Sequence, residues 1–416
     1  MSQKASCCTR RGFLQVGAGF AAAAPLALSL GCGSKSGGGD HTTPPPPLRA
    51  DAKVSIVACQ SYDVAAVTNA LAQNFTLLGG IESLVSGKIV TVKVNLTSDG
   101  TYRGQFGLPA DQSYITNGNT AIALASVLLS SGAAKVRFVD SAPFQLPLDQ
   151  VLALAGWDVS TLLGLGNVEV ENTRNLGSGT QYAKLSVPGG GNLFSYFELN
   201  HCYGDTDVFF SLAKLKQHLT AGITLSMKNV FGSTPNALYG ADSVTAGEGA
   251  TGWRGPLHGN GTADWAGINP PGANTDTPPT DAGSRIPRIV ADINGARKVH
   301  LGIIDGITSM SGGEGPWAPN AAPTSPGIVI AGLNAVSTDA VGVAVMGYAN
   351  PLAARGTPPF TSCDNHLSLA QSANVGTADL SQIQVSGLSV QQALYPYPQT
   401  LLRMRAMRHC AKAVVA

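Results

Sequence analysis

The hydrophobic and polar positions after residue 50 alternate between two kinds of segment. Short runs rich in Val, Ile and Phe occupy residues 53–59, 89–96, 134–140, 206–213, 300–307 and 327–332. Amphipathic windows typical of helices lie at residues 63–75, 119–131, 287–297 and 336–347. Continuous apolar strands that alternate with amphipathic helices are typical of a mostly parallel sheet covered by helices on both faces. The pattern therefore predicts an α/β fold.

Two regions break this alternation. Residues 157–200 predict short strands and turns, among them "NVEVEN" and "KLSVPGGGNLFSYFEL". Residues 233–285 are rich in Gly, Pro, Asn, Asp and Thr. Loops this long are uncommon in compact domains and are usually functional or partly disordered. We expect both regions to be irregular insertions within one domain that spans residues 51–395.

The first fifty residues have the pattern of an export signal followed by a tether. The stretch "TRRGFLQ", with Arg10 and Arg11, resembles a twin-arginine export signal, and the apolar run that follows it is too short for a membrane span. We assign the signal to residues 1–32 and a flexible Gly/Ser and proline tether to residues 33–50. The sequence thus predicts recognition by the twin-arginine export machinery and a periplasmic or cell-envelope location.

Cys32 ends the apolar run in "LSLGC" and resembles the lipidated cysteine of a lipoprotein signal. An ordinary signal that is cleaved nearby explains the same residues, so the sequence leaves a lipid anchor at Cys32 open. At the other end of the chain, "LLRMRAMRHC" within residues 396–416 predicts a basic helix or tail.

Composition and cysteine spacing exclude several classes of protein. The formal net charge is +1 and charged residues make up 12% of the chain, so nothing indicates a nucleic-acid partner. The four cysteines that follow the predicted signal lack C-x-x-C spacing, which argues against an iron–sulfur cluster, although one or two disulfides remain open. There is no P-loop, nucleophile elbow or dinucleotide-binding motif.

One apolar segment holds an unusual concentration of lysine. Residues 212–232, "LAKLKQHLTAGITLSMKNVFG", contain Lys214, Lys216 and Lys228 with His218 and no acidic residue. Parallel strands bring their carboxyl ends to one edge, where ligands of α/β sheets bind. A lysine-rich edge suits a phosphate or carboxylate. We therefore predict a site for a small anionic ligand.

The strand-end positions supply a set of candidate residues. For catalysis we single out Lys228, which would be a base if its pKa is lowered, together with His218 and Asp305. The predicted ligand-binding residues are Lys93, Asn95, Lys214, Lys216, Asn229, Gly313 and Glu314.

Each of these assignments has an alternative that the sequence leaves open. In the structural alternative, Lys214 and Lys216 only extend their charged ends along a rim and the glycines only form turns. Lys228 would pair with Asp305 or Asp339 if it is structural. A bound metal is also open, with ligands drawn from three histidines and three carboxylates. These are His218, His258, His366, Asp305, Glu314 and Asp364.

The order of these motifs resembles a known family. The segment with Lys214, Lys216, His218 and Lys228-Asn229 resembles the central motif of the domain-of-unknown-function 362 family (DUF362), and "VKVNL" and "LGIIDGITSMSGGEGPW" resemble its flanking motifs. The resemblance covers about residues 53–390. It implies a shared fold and site but no reaction. Three functions follow as hypotheses: an exported enzyme, a non-catalytic ligand-binding protein, and an assembly protein at the membrane surface.

Overall fold

A computed structural model describes residues 49–259 and 261–399. The predicted signal, Cys32, nearly all of the tether, and residues 400–416 of the basic tail lie outside the described residues.

The described part of the chain alternates strands and helices. The strands are β1 (Lys53–Ala58), β2 (Ile89–Lys93), β3 (Lys135–Asp140), β4 (Val168–Asn172), β5 (Ala183–Ser186), β6 (Tyr196–Leu199), β7 (Val208–Lys214), β8 (Gln217–His218), β9 (Gly222–Ile223), β10 (Leu301–Gly306), β11 (Ser309–Ser311), β12 (Ala322–Thr324), β13 (Ile328–Gly332) and β14 (Gln384–Gly387). The α-helices are α1 (Val64–Leu77), α2 (Glu82–Val85), α3 (Gly118–Ser130), α4 (Leu148–Leu154), α5 (Val159–Gly164), α6 (Leu225–Phe231), α7 (Asn236–Tyr239), α8 (Ser243–Ala246), α9 (Gly255–His258), α10 (Ala282–Ala296), α11 (Ala335–Val345) and α12 (His366–Ser372).

Eight strands form one sheet in the order β14-β1-β13-β10-β7-β2-β3-β4. Seven of them run in one direction, and β13 runs antiparallel to its neighbours β1 and β10. The central strands β7 and β10 are buried along their whole length, as their continuous apolar sequences predict. The predicted α/β fold with a mostly parallel sheet is confirmed.

Helices cover both faces of this sheet. On one face α1, α3, α4 and α5 pack over a core that includes Leu71, Leu124 and Phe210. On the other face α6, α10, α11 and α12 pack over a core that includes Val290, Ile304 and Val341. Alternate residues of each strand feed the two cores, since successive side chains point to opposite faces.

Helix boundaries follow the capping residues in the sequence. Asn117 accepts from the backbone N–H groups of Asn119 and Thr120 at the start of α3, and Asn334 does the same for Val336 and Ser337 at the start of α11. Helix α10 begins five residues before the predicted window, which had started at Pro287. Pro287 therefore lies inside the helix, where its lack of an N–H group removes one intrahelical hydrogen bond.

The insertion at residues 157–200 contributes β4 to the main sheet. Its sequence "VEVEN" alternates apolar and acidic residues because β4 is an edge strand, so the pattern lacks the continuous apolar run of the central strands. The acidic side chains are used: Glu169 bridges Lys135 at 2.9 Å and also pairs with Arg137.

The insertion at residues 233–285 folds into short helices that are held by a buried arginine. Arg285 donates to the carbonyls of Pro279, Pro256, Asp264 and Thr262. These bonds fasten the irregular loop to the first turn of α10, because a buried guanidinium needs acceptors for most of its donors.

Cys59, Cys202 and Cys363 are buried free thiols, so no disulfide joins any two of them. Within residues 49–259 and 261–399, no helix combines the length and the apolar character that a membrane span requires.

Candidate functional site

The carboxyl ends of neighbouring strands open onto a cavity of about 760 Å³. It lies beyond β2, β3 and β7, which are adjacent and parallel. Seven of the predicted site residues line it. They are Lys93, Asn95, Lys216, His218, Lys228, Asn229 and Glu314. Strand ends from distant parts of the chain thus meet at one place, as the parallel sheet requires.

Lys93 ends β2 and is paired inside the protein. Its Nζ lies 2.9 Å from a carboxylate oxygen of Asp140, at the end of β3, and donates to the carbonyl of Val94 at 2.7 Å. Burial lowers the pKa of Lys93, and the nearby Asp140 opposes that shift. The Lys93 charge is therefore balanced without a ligand.

Lys214 and Asp305 lie apart from the cavity. Lys214 Nζ contacts Asp305 Oδ2 at 3.0 Å, and both side chains are fully buried. Lys214 also donates to the Tyr62 hydroxyl and the Thr308 carbonyl, and Tyr62 donates to Asp305 at 2.9 Å. This pair joins β7 to β10. The predicted ligand-binding role of Lys214 and catalytic role of Asp305 require a place in the cavity wall, and neither residue lines the cavity. Lys228 does not pair with Asp305.

Lys216 lines the cavity, but its ammonium group is occupied by two backbone carbonyls. It donates to Tyr114 O and to Glu314 O, the latter at 2.7 Å. Burial holds its pKa well below the usual value. These bonds tie the chain after β7 to two loops, which is a structural use of the charge.

Lys228 differs from the other three lysines. It lies in the last turn of α6 with only 9% of its surface exposed. Within the described part of the chain, its Nζ makes no hydrogen bond or ion pair, and it sits 4.3 Å from the centroid of the Phe231 ring. Burial lowers its pKa to about 7, with Glu314 opposing the shift and Arg254 and Lys93 adding to it.

Helix α6 is held in place by two polar side chains. Asp339, from α11, accepts from Ser226 N at 2.7 Å and from Met227 N at 2.8 Å, so it does not pair with Lys228. Burial raises the pKa of Asp339 to about 8. Asn229 donates to Lys93 O and to Ser211 Oγ, and its Oδ1 accepts from Asn95 Nδ2 at 3.3 Å. These contacts fix α6 against β2 and β7.

Asn95 and the glycine-rich loop complete one wall. Asn95 lines the cavity, and its buried Oδ1 has no hydrogen-bond partner among the described residues. Glu314 accepts from Leu219 N and from Trp317 Nε1, each at 2.9 Å. Gly313 does not line the cavity, and a Cβ there would meet Ala318 at 2.4 Å. The glycine therefore permits close packing rather than ligand contact.

His218 and His258 line the cavity in opposite tautomers. Thr220 N donates to His218 Nδ1 at 3.2 Å, so the hydrogen of the neutral ring is on Nε2. His258 Nδ1 donates to Arg254 O at 2.7 Å, which leaves a lone pair on Nε2. Burial lowers both pKa values, to about 4 for His258 and well below the usual value for His218.

Arg254 belongs to the site, although no sequence motif identifies it. Its Nε and Nη2 donate to Thr234 O, Ser141 O and Gly232 O, at 2.8, 2.9 and 3.2 Å. Its Nη1 makes no hydrogen bond to another described residue, although Arg254 lines the cavity. Trp253 and His258 come from the same insertion. The only sequence signal for these residues is the length of the loop itself.

Three of the six predicted metal ligands, His218, His258 and Glu314, line the cavity, and the other three do not. Asp364 pairs with Arg288 and Arg355, and the buried ring nitrogens of His366 make no hydrogen bond to any described residue. Among the described residues, one group of three has ligand atoms within 4.8 Å of one another, and it lies elsewhere: Glu171, His201 and Cys202. Glu171 Oε1 already lies 3.0 Å from His201 Nε2, so the group is held together by its own hydrogen bonds.

Comparisons with known proteins identify a family and a distant structure. The model of the family described as domain of unknown function (DUF362) matches residues 90–344. A crystal structure of a Thermotoga maritima protein, Northeast Structural Genomics Consortium target VR152, is similar with 14% identity and a TM-score of 0.33. The similarity covers 64% of this chain and 55% of that chain, so this chain spans about half of that protein. No curated protein matches the chain.

Proposed function

The chain belongs to the DUF362 family, which is described as a domain of unknown function, and from the cavity we propose that it binds a small anionic ligand at Lys228 and acts on it as an exported enzyme. The sequence predicted that four lysines contact the ligand, and the proposal keeps one of them, Lys228, in that role. Three of those lysines are satisfied by groups of the protein, and one is left for a ligand.

The observation that carries the proposal is the ammonium group of Lys228, which has no hydrogen bond or ion pair with any residue that the structure describes. A buried charge without a partner is strongly unfavourable unless it is neutralised or bound. Glu314 is the one carboxylate that favours its charged form, and that carboxylate is bonded to Leu219 N and Trp317 Nε1. An anion in the cavity would offset the charge that the fold leaves uncompensated.

The charge balance of the cavity wall supports the same ligand. Four cationic residues and three carboxylates line the cavity: Lys93, Lys216, Lys228, Arg254, Asp99, Asp140 and Glu314. Asp99 is paired with Arg103 at 2.8 Å and Asp140 with Lys93. The Arg254 Nη1 group and Lys228 therefore provide two cationic contacts, which suits a carboxylate or phosphate.

Acid–base groups in the cavity favour an enzyme over a simple binding protein. A lysine whose pKa is about 7 and two neutral histidines in opposite tautomers line the same space. Groups with shifted pKa values in a cleft are typical of catalytic sites. A non-catalytic binding or assembly protein at the membrane surface is the second candidate. It is favoured by two exposed apolar side chains in the long insertion, Val244 at 71% and Trp253 at 56%.

Export is part of the proposal and is supported by the N-terminal sequence. Arg10 and Arg11 precede an apolar run, and Cys32 ends it before the tether. Under this proposal the domain acts in the periplasm or cell envelope, with a lipid anchor at Cys32 as a further hypothesis. Membrane fractionation tests it: Cys32→Ala is expected to move the protein from the membrane to the soluble fraction.

Tryptophan fluorescence tests ligand binding, because Trp253 and Trp317 line the cavity. We expect phosphate or pyruvate to change the emission saturably. Lys228→Met should weaken binding about tenfold or more, since a charge-assisted contact contributes roughly 1.5–3 kcal/mol.

Lys184→Met is the matched control for this titration. Lys184 also lies over an aromatic ring, 3.8 Å from the centroid of Tyr196, but it does not line the cavity. Unchanged affinity is expected in this variant. Equal affinities in wild type and Lys228→Met would refute the proposed role of Lys228 and favour the second candidate.

A further inference from the structure

We infer that Lys228 forms an imine with the carbonyl carbon of a small oxo acid bound in the cavity, an inference that rests on the proposed anion binding. The ligand class follows from two requirements. It carries a carboxylate, which the cationic groups of the wall recognise, and a ketone or aldehyde, which the amine attacks.

The surroundings of Lys228 are those of a nucleophilic amine. Its Nζ has no hydrogen bond or ion pair with any described residue, so no contact must break before it reacts. The burial of the side chain disfavours the ammonium form relative to water and lowers its pKa to about 7, and the nearby charges of Arg254 and Lys93 add to this shift. A desolvated lysine beside other cationic groups is the usual setting for imine formation.

Arg254 and Lys228 can divide the two tasks of the site, which are to hold the carboxylate and to attack the carbonyl carbon. Its Nη1 remains available after Nε and Nη2 have bound backbone carbonyls. This group can hold the carboxylate while the neutral amine of Lys228 reaches the carbonyl carbon. The other cavity lysines cannot take the second role, because Lys93 is bonded to Asp140 and Lys216 to two carbonyls.

The chemical step balances without an oxidant or a reductant. The Lys228 nitrogen forms a bond to the carbonyl carbon and loses one proton, while the carbonyl oxygen takes up one proton, which gives a carbinolamine. The nitrogen then loses its second hydrogen and the hydroxyl oxygen takes up a second proton, so the C–O bond breaks and water leaves as the C=N bond forms. One amine and one carbonyl compound thus give one imine and one water.

Two histidines of the wall suit the proton transfers. His258 Nε2 carries a lone pair and can accept the proton that the attacking nitrogen loses. His218 Nε2 carries a hydrogen and can donate it to the departing oxygen. Both tautomers are set by backbone groups, the Arg254 carbonyl and the Thr220 N–H, so they persist without a ligand.

Reductive trapping tests the inference on the full-length chain. The protein is incubated with pyruvate and cyanoborohydride, digested, and mapped by mass spectrometry. We expect one dominant adduct, on the peptide that contains Lys228. Methyl pyruvate has a similarly activated ketone but no charge, and it should label Lys228 about tenfold more slowly because it lacks the ion pair with Arg254.

Lys228→Arg separates the two proposals. It keeps a cation and removes the nucleophile, so it should still change tryptophan emission on pyruvate addition and should give no adduct. If the larger arginine does not fit, Lys228→Met, checked for folding by circular dichroism, tests the adduct alone, because methionine removes the nucleophile and also weakens anion binding. Saturable anion binding with no adduct at Lys228 in the wild type overturns the imine and leaves the proposed function intact. Equal labelling of Lys228 and exposed lysines such as Lys184 overturns it as well, whereas absence of anion binding overturns the proposed function.

Discussion

Lys216 and Lys228 are buried lysines of the same cavity wall, and what each ammonium group contacts separates their roles. Lys216 donates to the carbonyls of Tyr114 and Glu314, whereas Lys228 meets the face of Phe231 and no acceptor among the described residues. Burial lowers both pKa values. Lys216 therefore stabilises the fold, whereas the buried ammonium group of Lys228 destabilises it. The proposed anion binding would account for that destabilisation.

At this scale we predict that Lys228→Met stabilises the free protein in a pH-dependent way. The Lys228 pKa falls from 10.5 to about 7 on folding, so between these values the unfolded chain binds a proton that the folded chain lacks. Wild-type stability from this group then rises as pH increases from about 7 to about 10, and its burial penalty is full below pH 7. The gain in Lys228→Met should be a few kcal/mol near pH 7, at about 1.4 kcal/mol per pKa unit, and should shrink toward pH 10.

Urea unfolding across this pH range measures the effect, and Lys216→Met provides the contrast. Loss of Lys216 leaves two buried carbonyls without their donor and should destabilise the protein by about 1–3 kcal/mol per group. If Lys228→Met were as destabilised as Lys216→Met at every pH, Lys228 would have a structural role.

At the scale of elements, the position of α6 decides where Lys228 and Asn229 lie. The helix has seven residues, too few to be stable alone, so tertiary contacts hold it. Asp339 binds its first turn through two backbone N–H groups, and Asn229 binds the carbonyl of Lys93 in β2. A site built on such a helix depends on residues that never contact the ligand.

We predict that Asp339→Ala lowers both stability and anion affinity. The variant leaves the N–H groups of Ser226 and Met227 buried and unpaired, at about 1–3 kcal/mol each, and lets α6 shift. Asp292→Ala is the matched control, because Asp292 also accepts from backbone N–H groups, those of Asn192, Leu193 and Phe194, but does not line the cavity. Thermal melting should show that both variants are destabilised. Fluorescence titration should show weakened anion binding in Asp339→Ala and unchanged binding in Asp292→Ala. Equal affinity in the two variants would contradict the link between α6 and the site.

At the scale of the whole molecule, the site is assembled from four distant parts of the chain. Strand ends supply Lys93 and Asp140, α6 supplies Lys228, and the long insertion supplies Arg254. The insertion is held at its far end by Arg285, whose guanidinium binds several of its carbonyls. The function-bearing loop is thus anchored to the rigid helix α10.

The predicted N-terminal export signal would also act on the whole molecule. We predict that replacing Arg10 and Arg11 together by lysine retains the precursor in the cytoplasm, because a twin-arginine signal is read through its arginine pair. Cell fractionation and immunoblotting measure this, with Arg49→Lys as a control outside the predicted signal. Normal export of the double variant would contradict the twin-arginine assignment.

The sequence by itself determined the positions of the six central strands of the main sheet and of the four longest helices, and it identified the family. The hydrophobic period and the helix-capping residues are local properties of the chain, so these strands and helices could be located without the structure. The motif around Lys214–Lys228 matched the family that the comparison confirmed. The short strand in "NVEVEN" was predicted, but its place at the edge of the main sheet was not, because it alternates polar and apolar residues and lacks the continuous apolar run of the central strands.

Only the tertiary structure decided which of the four predicted site lysines lacks a hydrogen-bond or ion-pair partner among the described residues. Lys93 meets Asp140 and Lys214 meets Asp305, pairs that join different strands, and Lys216 meets carbonyls of two separate loops. Arg254 enters the cavity from an insertion whose path no periodicity encodes. The partners of a buried charge come from segments distant in the chain, and burial and those partners together set its pKa. A local sequence pattern can therefore place a lysine at a strand end, but its contacts in the folded chain determine whether its charge is available to a ligand.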